Sequence, residues 1–279
     1  MAKAIMIQGA ASGVGKTVLT LALCRIFKQD GHRVAPFKAQ NMTANTHMTP
    51  AGEEVAISQW LQALAAGAEP CADMNPVILK PSPKQKATQV ILNGKPYDTV
   101  NAYNFKEIKE KLVPEIMGAY YRLCGNNDII VIEGAGSPVE LNLNKNDIVN
   151  MGMAIRAKAP VLLAADIDRG GVFASLYGTV SLMTEAERAH VKATIVNRFK
   201  GEPAYFADGV KILEDITKLP VAGVIPYMDI NLPEEDCLFD NGPCNQADFE
   251  AQFDLVACNV RKALNMELIY KILDEGVAQ

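Results

Sequence analysis

Residues 4–17 read Ala-Ile-Met-Ile-Gln-Gly-Ala-Ala-Ser-Gly-Val-Gly-Lys-Thr, ending at Lys16-Thr17. A short apolar run meets a glycine-rich turn, and a helical pattern follows over Lys16–Gln29, with Val18, Leu19, Ala22, Leu23 and Ile26 on one face. This strand–glycine loop–helix order is that of a phosphate-binding P-loop. Glycines at 9, 13 and 15 let backbone N–H groups, with those of Ser12 and Val14, converge on phosphate oxygens. Lys16 is expected to hold the outer phosphates of a nucleotide, and Thr17 to offer its hydroxyl to Mg²⁺. The first glycine falls one residue earlier than in G-x4-G-K-[ST], because Ala10 occupies that place. An ordinary glycine turn with a chance Gly-Lys-Thr is the alternative, and the position at the first strand–helix junction argues against it.

Outward from this loop, short apolar runs alternate with amphipathic stretches. Strands are expected at 33–38, 128–133, 160–166, 193–196 and 221–225, and helices at 55–66, 148–157, 172–183 and 204–216. Continuous runs such as Asp-Ile-Ile-Val-Ile-Glu at 128–133 suit strands buried on both faces. The pattern predicts an α/β fold, a mostly parallel sheet with helices on both faces. Residues 41–127 carry prolines at 50, 70, 76, 81, 83, 96 and 114 and read as an irregular, substrate-facing insertion with one short strand at 89–92. A linker is expected within 232–248, followed by one helix over 249–273.

Ligands of such sheets sit beyond the carboxyl ends of the strands. Glu133-Gly134-Ala-Gly136-Ser137 ends one strand: the carboxylate is a candidate Mg²⁺ ligand, and Gly134, Gly136 and Ser137 are candidate substrate contacts. Asp166-Ile-Asp168-Arg169-Gly170-Gly ends the next; Arg169 can grip an anion bidentately, Asp168 can orient it, and Gly170 leaves room for substrate. Lys38 can stabilise a transferring phosphoryl group, with Gln40 and Asn41 beyond it as substrate contacts. Asn197 can read an adenine edge or only cap a turn. Glu54 either complements a helix N-terminus or is a second metal ligand. Lys80 lies in a basic, proline-bent stretch suited to an anionic substrate.

Composition narrows the classes. The formal charge of −5 argues against a nucleic-acid partner. No apolar run is long enough to span a bilayer, and the first residues carry no secretion signal, so no membrane partner and a cytoplasmic location are expected. The six cysteines form no Cys-x-x-Cys, and the histidines at 32, 47 and 190 are dispersed, which disfavours zinc and a nucleophilic triad.

The loop spacing from Gly9 to Lys16 resembles that of dethiobiotin synthetase and its amidating P-loop relatives. Longer segments resemble the ATP-dependent synthetase part of the cobyric acid synthase family: residues 8–17, 36–42, 73–81, 133–138, 147–152, 166–175, 197–201 and 232–236, spread over most of 5–238. The resemblance implies a dethiobiotin synthetase-like P-loop fold. It implies ATP- and Mg²⁺-dependent amidation of a corrinoid polycarboxylate, adenosylcobyrinic acid a,c-diamide, at side chains b, d, e and g. By the family pattern Lys16 and Thr17 bind phosphate and metal, Glu54 and Glu133 match metal-ligand positions, Asn197 matches the adenine-reading position, and Lys38, Asp168 and Arg169 face the reacting groups. Ile57 stands where the pattern has a basic residue. The family also carries a glutaminase domain after the synthetase; residues 239–279 are short and contain no histidine. We therefore expect a synthetase domain over 1–238, a linker over 239–248, a helical tail over 249–279 and no glutaminase, with ammonia supplied from solution or by a separate glutaminase chain. A homodimer is expected by analogy alone. A ligase of the same fold acting on another carboxylate, and a non-catalytic ATP-binding switch, are the alternatives.

Overall fold

The computed structural model describes residues 2–82, 87–101, 108–142, 146–233 and 246–276. Its centre is a six-stranded sheet in the order β12-β11-β10-β1-β9-β2, every pair parallel. The strands are β1 (Lys3–Gly9), β2 (Val34–Phe37), β9 (Ile129–Glu133), β10 (Val161–Asp166), β11 (Val191–Phe199) and β12 (Val221–Pro226). The chain leaves β1 for β2, returns to β9 beside β1, and then places β10 on the other side. The order therefore reverses at β1, and the loop after β1 opens into the crevice where α/β sheets take ligands.

Alternation along β1 divides the core. Ile5 and Ile7 join a cluster on one face with helix α1 (Lys16–Gln29), helix α2 (Ile57–Ala66) and the C-terminal helices. Met6 points to the other face, against helices Val113–Asn126, Met151–Ala157, Val172–Leu182 and Ala207–Thr217. Both faces are dry, which is why β9 and β10 read as unbroken apolar runs.

The insertion is more regular than expected. Beside the single strand expected at 89–92, it holds a second sheet of four strands, β3 (Gln40–Met42), β6 (Val77–Ser82), β7 (Ala87–Leu92) and β8 (Lys95–Val100), and a small hairpin of β4 (Thr46–Met48) and β5 (Glu54–Ala56). Three-residue strands are too short for a periodicity to declare them. Pro81 and Pro96 suggested irregular chain but are tolerated: β3 pairs only with Val77–Leu79, so β6 has a free side at Pro81, and Pro96 lies on the outer strand. Asn93-Gly94 turns β7 into β8 with both residues at positive φ.

Helix 148–157 starts only at Met151, because the Asp147 carboxylate takes the N–H groups of Val149, Asn150 and Gly152 first. The expected helix 249–273 is two, which follow seven described helices as α8 (Gln246–Ala263) and α9 (Met266–Glu275). The break is at Asn265, whose side chain accepts from Leu268 N and whose N–H donates to Ala222 O on β12. The expected linker lies, up to residue 245, outside the described residues. No described helix is long and apolar enough to cross a membrane.

Candidate active site

The loop after β1 is built by its glycines. Gly13 and Gly15 have φ of 71° and 91°, a region that side chains with a Cβ seldom enter. A Cβ on Gly9 would meet Val14 Cγ2 at 2.5 Å, and one on Gly15 would collide with the Asn197 amide. Asn197, on β11 and buried, donates from Nδ2 to Val14 O at 2.8 Å. This amide thus braces the loop from β11. Lys16 Nζ donates to Ala11 O at 3.0 Å and Gly136 O at 2.9 Å, tying the loop to the turn after β9.

That turn carries the densest chemistry. Glu133 is 1% exposed. Its Oε1 accepts from Thr17 Oγ1 and from Lys38 Nζ, both at 2.9 Å, and its Oε2 accepts from Gln62 Nε2 at 2.6 Å and Gln59 Nε2 at 3.5 Å. Burial alone raises a carboxyl pKa. Here the charge of Lys38 and the hydrogen bonds from Lys38, Gln62 and Thr17 outweigh it, so Glu133 stays ionised below the usual carboxylate range. Lys38 reaches the carboxylate because β2 pairs directly with β9, Phe37 opposite Ile132. Thr17 and Glu133, two oxygen donors on different elements already in contact, are a donor set suited to a hard divalent cation.

The turn itself is held from beneath. Asn150 accepts from Ala135 N at 3.0 Å and donates to Ala135 O at 2.6 Å and Ser137 O at 3.2 Å. A Cβ on Gly134 would strike the Asn150 amide, which accounts for glycine there. Ser137 is buried, and Gly136, at positive φ, faces the Ser12 hydroxyl.

Beyond β10, Asp166 is the hub. It accepts from Asp168 N at 2.8 Å and pairs with Arg198 at 2.9 Å and more distantly with Arg169 at 3.9 Å. Arg198 adopts φ of 60°, strained for a side-chain-bearing residue, and so turns toward Asp166. Asp168 pairs with Lys200 at 2.7 Å. Arg169 is largely exposed, its Nη2 lying 4.0 Å from where a Gly13 Cβ would be, over the phosphate loop. Gly170 and Gly171, both at positive φ, leave open space beside it.

The insertion contributes more loosely. Asn41, buried on β3, donates to Ser58 Oγ at 3.1 Å and Gln59 Oε1 at 3.0 Å, while the neighbouring Gln40 Oε1 is buried without a hydrogen-bond partner among the described residues. Glu54 pairs with Lys80 at 2.6 Å and accepts from Thr46 Oγ1 at 3.0 Å. Two expected residues therefore meet each other, and Glu54 does not share the Thr17–Glu133 contact. Ile57 is buried in the core. The described residues hold no cluster of three His, Cys, Asp or Glu side chains fit to bind a metal.

Sequence reasoning missed Gln59, Gln62, Asn150, Arg198 and Lys200. Gln59 and Gln62 left one signal: two amides three apart on the face of a helix otherwise rich in Ala and Leu.

Known proteins resemble this chain in sequence and in fold. The family model described as CobQ/CobB/MinD/ParA nucleotide binding domain matches residues 5–236. A cobyric acid synthase of Ruminiclostridium cellulolyticum is 54% identical over 238 residues, 85% of this chain and 46% of that protein. One from Listeria monocytogenes is 50% identical over 255 residues, 91% of this chain and 50% of that protein. The chain spans about half the length of these curated relatives. Among solved structures, MinD of Aquifex aeolicus aligns with a TM-score of 0.46 at 18% identity, over 81% of this chain and 83% of its own. Cobyrinic acid a,c-diamide synthase of Mycobacterium smegmatis, solved with ADP and magnesium, aligns with a TM-score of 0.43 at 15% identity, over 82% of this chain and 87% of its own. With a phosphate loop at the sheet's reversal point and a family match along most of its length, the chain belongs to the CobQ/CobB/MinD/ParA nucleotide-binding domain family.

Proposed function

We propose that this chain carries the ATP-dependent amidation of corrinoid carboxylates, converting adenosylcobyrinic acid a,c-diamide toward cobyric acid at side chains b, d, e and g. The observation that carries the reading is the convergence of Thr17, Lys38 and Glu133 beside the phosphate loop. A nucleotide-binding fold needs only the loop; a buried lysine–carboxylate pair next to it is the equipment of phosphoryl transfer.

ATP would lie along Gly9–Thr17, its outer phosphates met by backbone N–H groups and by Lys16. Thr17 and Glu133 would hold Mg²⁺, which when bound neutralises charge on the transferring phosphoryl group. The substrate carboxylate attacks the γ-phosphorus, ADP leaves, and an acyl phosphate forms. Ammonia then attacks the acyl carbon and phosphate leaves, giving the amide. The chain's part is positioning and charge. Lys38, released from Glu133, would follow the developing charge, and Arg169, exposed over the loop, would close on the phosphate or the substrate carboxylate. Asn197 would keep the loop in shape while offering its amide to the adenine. Gln40 and Lys80 would meet the corrinoid from the insertion, with Asn41 buried behind them and Glu54 exchanging Lys80 for substrate or metal. Ammonia would be the second substrate, free in solution or released from glutamine.

The test is amidation of cobyrinic acid a,c-diamide followed by mass spectrometry, with ATP and Mg²⁺ and either ammonium chloride or glutamine. Mass steps of one amide per carboxylate with ammonium are expected. ATP binding without any amide product, across corrinoid acids, would overturn the reading and favour the switch protein.

A further inference from the structure

The two oxygens of Glu133 have different partners. Oε1 faces Thr17 and Lys38, the groups that the proposed reaction needs. Oε2 faces α2, accepting from Gln62 at 2.6 Å and Gln59 at 3.5 Å. Gln62 Nε2 also donates to Thr17 O at 3.3 Å. One amide nitrogen therefore touches both residues that would hold a divalent cation, from an element belonging to neither. Glu133 is on β9, Thr17 is on α1, and their sequence separation of 116 residues is bridged by a helix of the insertion.

The bonds run in one direction. Asn41 Nδ2 donates to Gln59 Oε1, Gln59 Nε2 donates to Gln62 Oε1 at 3.4 Å, and Gln62 Nε2 donates to the carboxylate. Ser58 Oγ also donates to Gln59 Oε1 at 3.1 Å. Asn41, Gln59, Gln62 and Glu133 are all at most 3% exposed. Three amides aligned donor-to-acceptor polarise one another, and in a dry site the effect accumulates on the terminal anion. Two primary amides on an apolar helix face, with a third buried on β3, would be costly if their only role were to fill space.

Resting on the amidation reading for the site's chemistry, we propose that Gln62 is a positioning residue for the divalent cation: it occupies Glu133 Oε2, leaves Oε1 to turn from Lys38 to the cation, and sets the spacing of Glu133 from Thr17. Gln59 and Asn41 orient Gln62, so the relay joins the insertion to the cation site. Gln62 itself touches neither phosphate nor metal.

The test measures ADP affinity by calorimetry, in EDTA and again in saturating Mg²⁺, for the wild-type chain, Gln62→Met and Gln59→Met. Methionine keeps the length and removes the donor. The expected result is a fall of about tenfold in the Mg²⁺-dependent gain for Gln62→Met, the scale of lost outer-sphere metal contacts, with metal-free affinity unchanged within about twofold and the circular-dichroism melt still cooperative. Gln59→Met should lower the same gain by less, and it carries the test if Gln62→Met does not fold. Equal losses with and without Mg²⁺ would show a merely structural helix, and an unaltered gain in both variants would overturn the proposal. So would a wild-type chain with no Mg²⁺-dependent gain. Amide formation is not the readout, so absence of corrinoid product would sink the functional reading and leave this one standing.

Discussion

At the residue scale, the Lys38–Glu133 pair is the most exacting feature. The lysine side chain is 4% exposed and the carboxylate side chain 1%. Removing one member strands the other charge in a dry site, at about 3–5 kcal/mol, whereas replacing both can cost far less. Glu133→Gln alone is expected to destabilise the chain by roughly 3 kcal/mol, and adding Lys38→Met to recover part of that. Urea unfolding at pH 7 of the two single variants and the double variant measures the coupling. Additive losses would mean the pair does not interact as drawn. Lys38, Glu133 and Thr17 were each legible in the sequence as strand-end or loop residues. Their meeting was not, since 95 residues separate Lys38 from Glu133.

At the scale of elements, α8 and α9 add ion pairs at their rim to the apolar packing that holds them on the phosphate-loop helix. Arg25 on α1, largely buried, pairs with Glu250 and Asp254, both at 2.7 Å. Arg261 pairs with Asp30 at 2.9 Å, and Tyr270 hydrogen-bonds Asp30 as well. The Asp254 carboxyl is held low chiefly by its hydrogen bond from Arg25. For Asp30, burial pushes the other way but is outweighed by Arg261 and Tyr270. A depressed folded-state pKa contributes stability that is present above the ordinary value of 3.8 and is lost as pH falls through the lowered one. Acid should therefore loosen α8 and α9 before the central sheet. Hydrogen exchange at stepped pH from 5 downward is expected to show protection fading first over 246–275; simultaneous loss in β1 and β9 would count against it. The helices of this tail were partly legible as an apolar repeat, but the break at Asn265 was not, because it comes from a backbone bond to β12.

At the scale of the whole molecule, the sheet separates two apolar layers, and the tail completes one of them. Phe249, Phe253, Val256, Val260, Leu264, Ile269, Ile272 and Leu273 are buried in the same cluster as Ile5, Ile7 and the apolar face of α1. Each such side chain contributes roughly 1.5–3 kcal/mol when fully buried, so as a group they match or exceed the roughly 5–15 kcal/mol by which a domain is stable. A chain ending at Pro233 is expected to lose its native packing. Near-ultraviolet circular dichroism should flatten and a hydrophobic dye should bind; a cooperative melt within a few degrees of the 279-residue chain would refute this.

The parallel sheet, the phosphate loop and the strand ends bearing Glu133 and Asp166 could be read directly from the chain. They depend on local physics: continuous apolar runs, a helix period and glycines where positive φ is needed. The second sheet escaped because its first strand, β3, is only three residues long and its prolines sit where ladder bonds are absent. Which side chains share the site was a matter of strand order alone. Placing β1 between β9 and β10, and β2 beyond β9, carries Thr17, Lys38 and Glu133 to one point and lets Gln62 of the insertion reach them. No local pattern encodes that order, since it follows from how two apolar faces are buried at once.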